Sequence, residues 1–277
     1  MRLARHGTTG SEAPLVSGPD GAWRDLRPVC DDLNPDTLPS LLDGLELDAL
    51  PVVERPGRFG PPLSGIGKIV CVGLNYRQHA TETGAAVPDE PIIFLKSPDT
   101  VVGPDDRVLI PRGSVKTDYE VELAVVIGRE ARYLPDEAAA AACVAAYAIS
   151  NDVSEREFQL ERGGQWDKGK NCETFNPLGP WLLTADEVPD PQALSLRLSV
   201  NGDVRQNGST SDMIFGVFEL VRYLSQFMVL YPGDVINTGT PAGVALGLAG
   251  TPYLRAGDVV DVEIDGLGRQ HQTFEQA

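Results

Sequence analysis

The sequence predicts a β-rich α+β fold in which a larger domain follows a small N-terminal cap domain. Strand-like runs are numerous after residue 65, and only two segments carry clear helix-start signals. A stretch rich in Pro and Gly at residues 54–65 separates these runs from the beginning of the chain. Many strands with few helices indicate the α+β class, so we expect the cap at residues 1–64 and the larger domain at residues 65–277.

The predicted cap consists of short apolar pieces broken by turn-forming residues. Gly, Pro, Asn and Asp favour turns, because Gly and Asn tolerate positive φ and Pro presets the φ of a turn position. These pieces are SGPDGAW at 17–23, DDLNPDTLPS at 31–40 and LLDGLELDALP at 41–51. We therefore expect a small, turn-rich unit at this end of the chain.

Six apolar runs in the larger domain have the composition of strands. They contain many β-branched residues, which pack well on a pleated surface, and they are bounded by Gly, Pro, Asn or Asp. The predicted strands lie at residues 68–74, 91–96, 121–128, 196–202, 234–241 and 258–266.

Two segments carry the signals of a helix start. Pro135, Asp136 and Glu137 precede an alanine run, and a proline followed by acidic residues suits the first turn of a helix. Ser211 and Asp212 precede the apolar segment MIFGVFELVRYLSQFMVL, so we expect a second helix to begin there.

The charge and cysteine content exclude several classes of protein. Lys and Arg number 23 against 40 Asp and Glu, and the resulting net charge of −17 repels nucleic acid and anionic lipid. The four cysteines are scattered without a paired motif, which predicts the reducing cytoplasm. The first residues carry charge without an apolar run, so we expect no signal peptide, and no apolar stretch is long enough to span a membrane.

The segment DYEVELAVVIG at residues 118–128 is the most informative part of the sequence. The period of two in a strand puts Glu120 and Glu122 on one face, and Tyr119 and Val121 on the other. Two acids on an edge strand in water are a common alternative, but the following LAVVIG run favours an interior strand. Two buried carboxylates repel each other unless a cation compensates them.

A third carboxylate ends another apolar run. Asn151 and Asp152 follow the run that begins at Ala145, and site residues are common at strand ends. Together with Glu120 and Glu122, Asp152 would offer a metal only oxygen ligands, which favours Mg²⁺ or Mn²⁺ over zinc. Three carboxylates would also leave coordination positions for water and substrate.

His79 is the one histidine of the three to which we assign a role. Glu82 follows it at the i+3 position, where the two side chains meet if the segment is helical. A carboxylate beside an imidazole orients the ring and raises its basicity, which is typical of a general base.

Taken together, six segments resemble the fumarylacetoacetate hydrolase family, whose members include acylpyruvate hydrolases, oxaloacetate decarboxylases and diketo-sugar-acid hydrolases. They occur in the order found in the family and cover much of residues 66–245. The segments are VGLNYRQHATE, PIIFLKSPDTVVGP, DYEVELAVVIG, YAISNDVSERE, GKNCETFNPLGPWL and NTGTPAGV.

The resemblance implies a mixed β-roll fold, one Mg²⁺ or Mn²⁺ ion, a homodimer, and a small oxo acid as substrate. Glu120, Glu122 and Asp152 match the metal ligands of the family. His79 and Glu82 match a pair on a mobile lid that activates water in several members. Four further residues fall where the family contacts substrate: Arg156, Gln159, Lys170 and Thr240.

The surroundings of Lys170 depart from the family pattern. Many members read GKSFDTF where this chain reads GKNCETF at residues 169–175. Residues 164–170 also match the GxxxxGK part of a phosphate-binding loop, but Asn171 replaces the required Ser or Thr and no strand leads into the segment. We therefore interpret Lys170 as a contact of the oxo acid. Three nearby aromatic residues are interpreted as core residues: Trp166, Phe175 and Trp181.

The resemblance implies a metal-dependent hydrolase that cleaves a carbon–carbon bond in a 2,4-dioxo acid, either an acylpyruvate or a 2,4-diketo-3-deoxy sugar acid. His79, oriented by Glu82, would deprotonate the attacking water, and Lys170 would act with the metal to stabilise the pyruvate enolate. An oxaloacetate decarboxylase or tautomerase, a ureidoglycolate-lyase-type enzyme, and a binding protein without activity remain alternatives.

Overall fold

Strands dominate the computed structural model, which describes all 277 residues. The seventeen strands, in chain order, are β1 Arg2–His6, β2 Ala13–Ser17, β3 Trp23–Asp25, β4 Ile69–Gly73, β5 Ile92–Lys96, β6 Val101–Val102, β7 Val108–Ile110, β8 Thr117–Asp118, β9 Val121–Ile127, β10 Val144–Asn151, β11 Ser154–Glu155, β12 Asn176–Thr184, β13 Ser195–Val200, β14 Asp203–Ser209, β15 Val235–Asn237, β16 Val259–Ile264 and β17 Gly268–Gln276.

The strands form two large open sheets and one small sheet. The first has the order β3-β2-β1-β12-β10-β9-β15-β4-β5, with β6 beside β12. The second has the order β14-β13-β16-β17-β7, and β8 pairs with β11. Parallel pairs occur between β4 and β15, β6 and β12, and β7 and β17, among otherwise antiparallel neighbours. The predicted β-rich α+β class with mixed sheets is therefore confirmed, and all six predicted strands are present.

The helices are few and short, and none of them is long and apolar enough to cross a membrane. They are α1 Leu38–Leu42, α2 Arg77–Glu82, α3 Glu137–Ala141, α4 Asp167–Lys170 and α5 Val217–Leu224, together with a π-helical turn at Glu157–Glu161. The predicted start of α3 is confirmed, because the Asp136 side chain caps the helix by accepting a hydrogen bond of 2.8 Å from the amide of Ala139.

The predicted start of the second helix is wrong. Residues Thr210–Asp212 form a single 3₁₀ turn, and α5 begins only at Val217. Asp212 instead accepts a hydrogen bond of 3.0 Å from the amide of Gln78, in the first turn of α2. The amides of Ile214 and Phe215 donate to Asn75, so the chain between the turn and α5 is held against the segment before α2. These tertiary hydrogen bonds outweigh the local capping preference.

The two faces of β9 pack against different apolar clusters. Tyr119, Val121 and Leu123 belong to a cluster shared with the second sheet. Ala124 and Val126, on the opposite face, pack in a cluster that includes the N-terminal strands and α1. The alternation predicted for this strand is thus confirmed, and β9 is an interior strand between β10 and β15.

The N-terminal residues are continuous with the rest of the fold. Strand β1 pairs with β12 through the register Arg2 to Leu183 and Leu3 to Leu182, so β1, β2 and β3 extend the first sheet. Leu3 and Leu33 share an apolar cluster with Ala124. The division into residues 1–64 and 65–277 stays a prediction, and its two parts are joined by one sheet and one apolar cluster.

Candidate active site

Three carboxylates meet where β9 begins and β10 ends. Glu122 lies on β9 and Glu120 just before it, while Asp152 follows the last residue of β10. The antiparallel register pairs Ser150 with Glu122, and the amide of Asp152 donates a hydrogen bond of 3.0 Å to the carbonyl of Glu120. One carboxylate oxygen from each residue lies within 4.8 Å of the others, and all three residues are buried. The structure therefore brings together the three acids that the sequence singled out.

Two lysines partly compensate these buried charges. Lys170 donates hydrogen bonds of 2.7 Å to Glu120 and 2.8 Å to Asp152. Lys96 donates to the other oxygen of Asp152 at 2.5 Å and to two backbone carbonyls. Burial alone would lower the pKa of Lys170, but Asp152 and Glu120 raise it above the usual value, so this ammonium stays charged.

The carboxylates differ in their tendency to ionise. Burial would raise the pKa of Glu120, but the charges of Lys170 and Arg156 hold it at about 2. Burial, followed by repulsion from Asp152 and Glu120, raises the pKa of Glu122 well above the usual value. Its Oε2 accepts a hydrogen bond of 2.8 Å from the amide of Gly239, and no lysine or arginine pairs with it. Glu122 is therefore the acid for which a further cation would matter most.

This donor set fits a divalent cation. The cluster contains four buried carboxylates, those of Asp118, Glu120, Glu122 and Asp152. It contains three buried cations, those of Lys96, Arg156 and Lys170. With every group ionised, one negative charge is left over. The ligand atoms offered are all oxygens, as Mg²⁺ and Mn²⁺ prefer, and no His or Cys joins the group.

The predicted contact between His79 and Glu82 is present on α2. Nδ1 of His79 lies 2.9 Å from Oε1 of Glu82, and the amide of Gly243 donates to both oxygens of that carboxylate at 2.9–3.0 Å. A carboxylate at Nδ1 favours the tautomer with the proton there, which leaves Nε2 free to accept one. The ring is buried and borders the same cavity as Glu120 and Glu122.

Arg156 connects the carboxylate cluster to its surroundings. It donates to Asp118 at 2.8 Å, to Glu120 at 2.7 Å and to the side chain of Gln159 at 3.0 Å. Gln159 lies on the π-helical turn, a feature that is frequent at functional sites. These contacts hold the guanidinium rigidly beside the cavity.

The hydroxyl of Thr240 both donates and accepts a hydrogen bond within the protein. Oγ1 donates to the carbonyl of Val121 at 3.0 Å and accepts a hydrogen bond of 2.8 Å from Gln206. The residue therefore also links the strand that carries Glu122 to the second sheet.

The site residues surround a cavity of about 170 Å³. Of the nine residues singled out in the sequence, seven line it, while Glu82 and Asp152 lie behind His79 and Lys170. The lining residues are Val72, Gly73, Leu74, His79, Thr83, Ala85, Phe94, Glu120, Glu122, Arg156, Gln159, Leu160, Trp166, Lys170, Thr240 and Leu246.

Several residues that sequence reasoning did not single out belong to this site. Lys96 and Asp118 are buried partners of Asp152 and Arg156, and each was visible only as a charged residue at one end of an apolar strand. Trp166 was interpreted as a core residue, and this is wrong, because it lines the cavity beside Phe94. The Gly-rich segment before it gave no apolar periodicity from which to place the indole. Phe175 is buried in the core, as expected.

Comparison with known proteins places this site in a family. Residues 68–275 match the family described as "Fumarylacetoacetate (FAA) hydrolase C-terminal". The chain belongs to the fumarylacetoacetate hydrolase family. A Burkholderia multivorans protein provisionally named a hydrolase is 50% identical over an alignment 277 positions long that covers 98% of each chain. The resemblance seen in the sequence motifs is thereby confirmed.

Solved structures of this family share the fold over the whole chain. The fumarylacetoacetate hydrolase from the psychrophile Exiguobacterium antarcticum has a TM-score of 0.87 and 34% identity, and all of both chains is covered. The maleylpyruvate hydrolase from Sphingobium sp. SYK-6 has a TM-score of 0.80 and 28% identity, again with both chains fully covered. These likenesses support an enzyme of the fumarylacetoacetate hydrolase family.

Proposed function

We propose that this protein is a Mg²⁺- or Mn²⁺-dependent hydrolase that cleaves a carbon–carbon bond in a 2,4-dioxo acid to give pyruvate and a carboxylic acid. The observation that carries the proposal is that a candidate metal site and a candidate general base lie at the same cavity. Glu120, Glu122 and Asp152 form a buried oxygen-ligand cluster, and His79 with Glu82 forms an oriented base. When bound to the cluster, the ion would supply positive charge beside the carboxylate and 2-oxo group of the substrate.

The chain's own residues would then perform the proton transfers. His79 would take a proton from water at Nε2, while Glu82 stabilises the resulting imidazolium through Nδ1. The water oxygen bonds to C4, the bond between C3 and C4 breaks, and its electron pair moves to C3. His79 returns the proton to C3, so the products are pyruvate and the acid formed from the acyl group.

Four polar residues would contact the substrate. The ammonium of Lys170 lines the cavity and donates hydrogen bonds to two of the three carboxylates, those of Glu120 and Asp152. Its charge would stabilise the electron pair that develops on the pyruvate fragment. Arg156 and Gln159 would position the substrate carboxylate, since both line the cavity and are held in place by hydrogen bonds. Thr240 would form the part of the cavity wall that lies behind the substrate carboxylate.

A decarboxylase of oxaloacetate, or a tautomerase, is the second candidate, because either would use the same cluster and the same enolate. Neither reaction needs an activated water. The oriented His79–Glu82 pair favours hydrolysis, because it would activate a water. The ureidoglycolate-lyase alternative has no observation in its support, and a binding protein without activity would have no use for the oriented base.

The decisive experiment is a substrate panel read out as pyruvate. The Mg²⁺-loaded protein is incubated with acylpyruvates, 2,4-diketo-3-deoxy sugar acids and oxaloacetate in ¹⁸O-labelled water. Hydrolysis places one labelled oxygen in the carboxylic acid product, whereas decarboxylation releases carbon dioxide and no second acid. Pyruvate from oxaloacetate alone would contradict the hydrolase and establish the second candidate.

We further propose that the protein acts in the cytoplasm as a homodimer. The four free cysteines support a reducing compartment. The homodimer rests on the family resemblance, and analytical ultracentrifugation of the purified protein at several concentrations tests it.

A further inference from the structure

The permanent cations that line the cavity are already matched by carboxylates. Arg156 is hydrogen-bonded to Asp118 and Glu120, and Lys170 to Glu120 and Asp152. The ion and these two residues would serve the 2-oxo acid end of a substrate. No further Lys or Arg lines the cavity. A second carboxylate at the far end of a substrate would therefore lose its hydration without gaining a partner.

The rest of the cavity lining is mostly apolar and includes two aromatic rings. Phe94 and Trp166 contact each other edge to face, with ring centroids 5.6 Å apart. Nζ of Lys170 lies 4.9 Å from the centroid of the Phe94 ring, so the aromatic wall starts directly beside the carboxylate cluster. Leu160 and Leu246 also line the cavity.

The aromatic wall is held in place by polar contacts outside the cavity. The Asn171 side chain donates to the carbonyl of Leu95 at 3.1 Å and to that of Asp167 at 2.9 Å, and it accepts from the amide of Ser97. These contacts join α4, which follows Trp166, to β5, which carries Phe94. Gly73 leaves room for the indole, because a Cβ at this position would come within 2.6 Å of Trp166.

We propose that this wall selects a substrate whose group beyond C4 is an uncharged hydrocarbon, aromatic or branched aliphatic. The inference rests on the proposed function and makes it more specific. It excludes dicarboxylic dioxo acids and polyhydroxylated sugar acids as preferred substrates. Phe94 and Trp166 are the residues that determine this specificity. Their rings are already fixed before the substrate binds, so they bind an apolar group with little loss of conformational freedom.

Three 2-oxo acids that cannot be cleaved test the preference by binding alone. All three share the 2-oxo acid group and differ at the other end of the molecule. 2-Oxobutanoate ends in a methyl group, 4-phenyl-2-oxobutanoate in a phenyl group and 2-oxoglutarate in a carboxylate. Calorimetry on the Mg²⁺-loaded protein should show the phenyl compound binding at least about tenfold more tightly than 2-oxobutanoate, as burial of a phenyl ring predicts. It should show 2-oxoglutarate binding most weakly. A 2-oxoglutarate affinity equal to or above that of the phenyl compound overturns the inference.

Two matched pairs of variants assign the preference to the wall. Trp166→Ala should abolish the advantage of the phenyl compound, whereas Trp181→Ala, at a tryptophan outside the cavity, should retain it. Leu160→Arg and Leu95→Arg place the same charge at residues that are 43% and 46% exposed, but only Leu160 borders the cavity. Leu160→Arg should shift the affinity ratio at least about tenfold toward 2-oxoglutarate, because the added charge gains a carboxylate partner. The same ratio in both arginine variants would contradict the assignment.

The binding series separates this inference from the proposed function. A phenyl preference in a protein that releases pyruvate from no dioxo acid would leave the inference standing and overturn the hydrolase. If the protein cleaves acylpyruvates but prefers a carboxylate to a phenyl group beyond C4, the inference alone would be overturned. Absence of binding by all three acids would overturn both.

Discussion

The amide of Asp152 donates a hydrogen bond of 3.0 Å to the carbonyl of Glu120, and this bond continues the pairing of β9 with β10 beyond the last residue of β10. This bond fixes the distance between the backbones of Glu120 and Asp152, two of the proposed metal ligands. Asn151 adds a second link, because its Oδ1 accepts a hydrogen bond of 3.0 Å from the amide of Glu120. One backbone hydrogen bond and one bond to the Asn151 side chain therefore fix the positions of Glu120 and Asp152 relative to each other.

Replacement of Asn151 tests whether this framework matters. Its Nδ2 also donates to Gln272 at 3.1 Å, so Asn151→Ala leaves buried polar groups without partners. We expect the free energy of unfolding in urea to fall by about 1–3 kcal/mol and the Mn²⁺ affinity to weaken. Asn207→Ala, at an exposed position on β14, is the control and should change neither. Unchanged stability in the Asn151 variant would show that the side chain is dispensable.

Replacement of Glu122 tests the metal site. Because its pKa is raised by burial and by Asp152 and Glu120, Glu122→Gln removes repulsion from the metal-free protein. The melting temperature without metal should therefore stay the same or rise. The Mn²⁺ affinity measured by calorimetry should fall by more than about a hundredfold, since even loss of an outer partner costs about 10–100-fold. Glu263→Gln, on the exposed side of β16, should bind Mn²⁺ as the wild type does, and equal affinities in the two variants would contradict the ligand assignment.

Replacement of His79 separates the two candidate reactions. Hydrolysis needs a base for the attacking water, whereas decarboxylation does not. His79→Ala should lower the hydrolysis of acylpyruvates by at least about a hundredfold while sparing part of any oxaloacetate decarboxylation, both read out as pyruvate. Replacement of His271, which is exposed on β17, is the matched control. Equal loss of both reactions would mean that His79 does more than activate water.

Resistance to alkylation is expected from the cysteines. Burial raises the pKa of Cys30, Cys71 and Cys143, and it raises the pKa of Cys172 to about 11. The reactive thiolate is therefore scarce near pH 7, and its fraction at Cys172 grows about tenfold for each unit of pH until the pH approaches that value. Mass spectrometry after iodoacetamide at pH 7 should find these residues largely unmodified in the native protein and fully modified after unfolding. Rapid loss of activity with alkylation at pH 7 would instead indicate a cysteine in the mechanism.

The local sequence pattern was sufficient to predict the strands and part of the site. Glu120 and Glu122 share a face because side chains alternate along any strand, and the apolar run after them predicted an interior position. His79 and Glu82 touch because residues three apart meet on one helical turn. Both relations act over a few residues of chain, so the sequence determined them before any tertiary contact was known.

Tertiary structure alone decided which charges compensate these acids and which groups form the rest of the cavity. Lys96 lies 56 positions from Asp152, and Arg156 lies 38 positions from Asp118, so no local periodicity could pair them. Trp166 reaches the cavity because contacts between α4 and β5 bring it to Phe94. The start of α5 was displaced by hydrogen bonds to Asn75, a residue far away in the chain. Burial makes such long-range pairings strong, since a charge or amide removed from water must find its partner wherever the fold provides one.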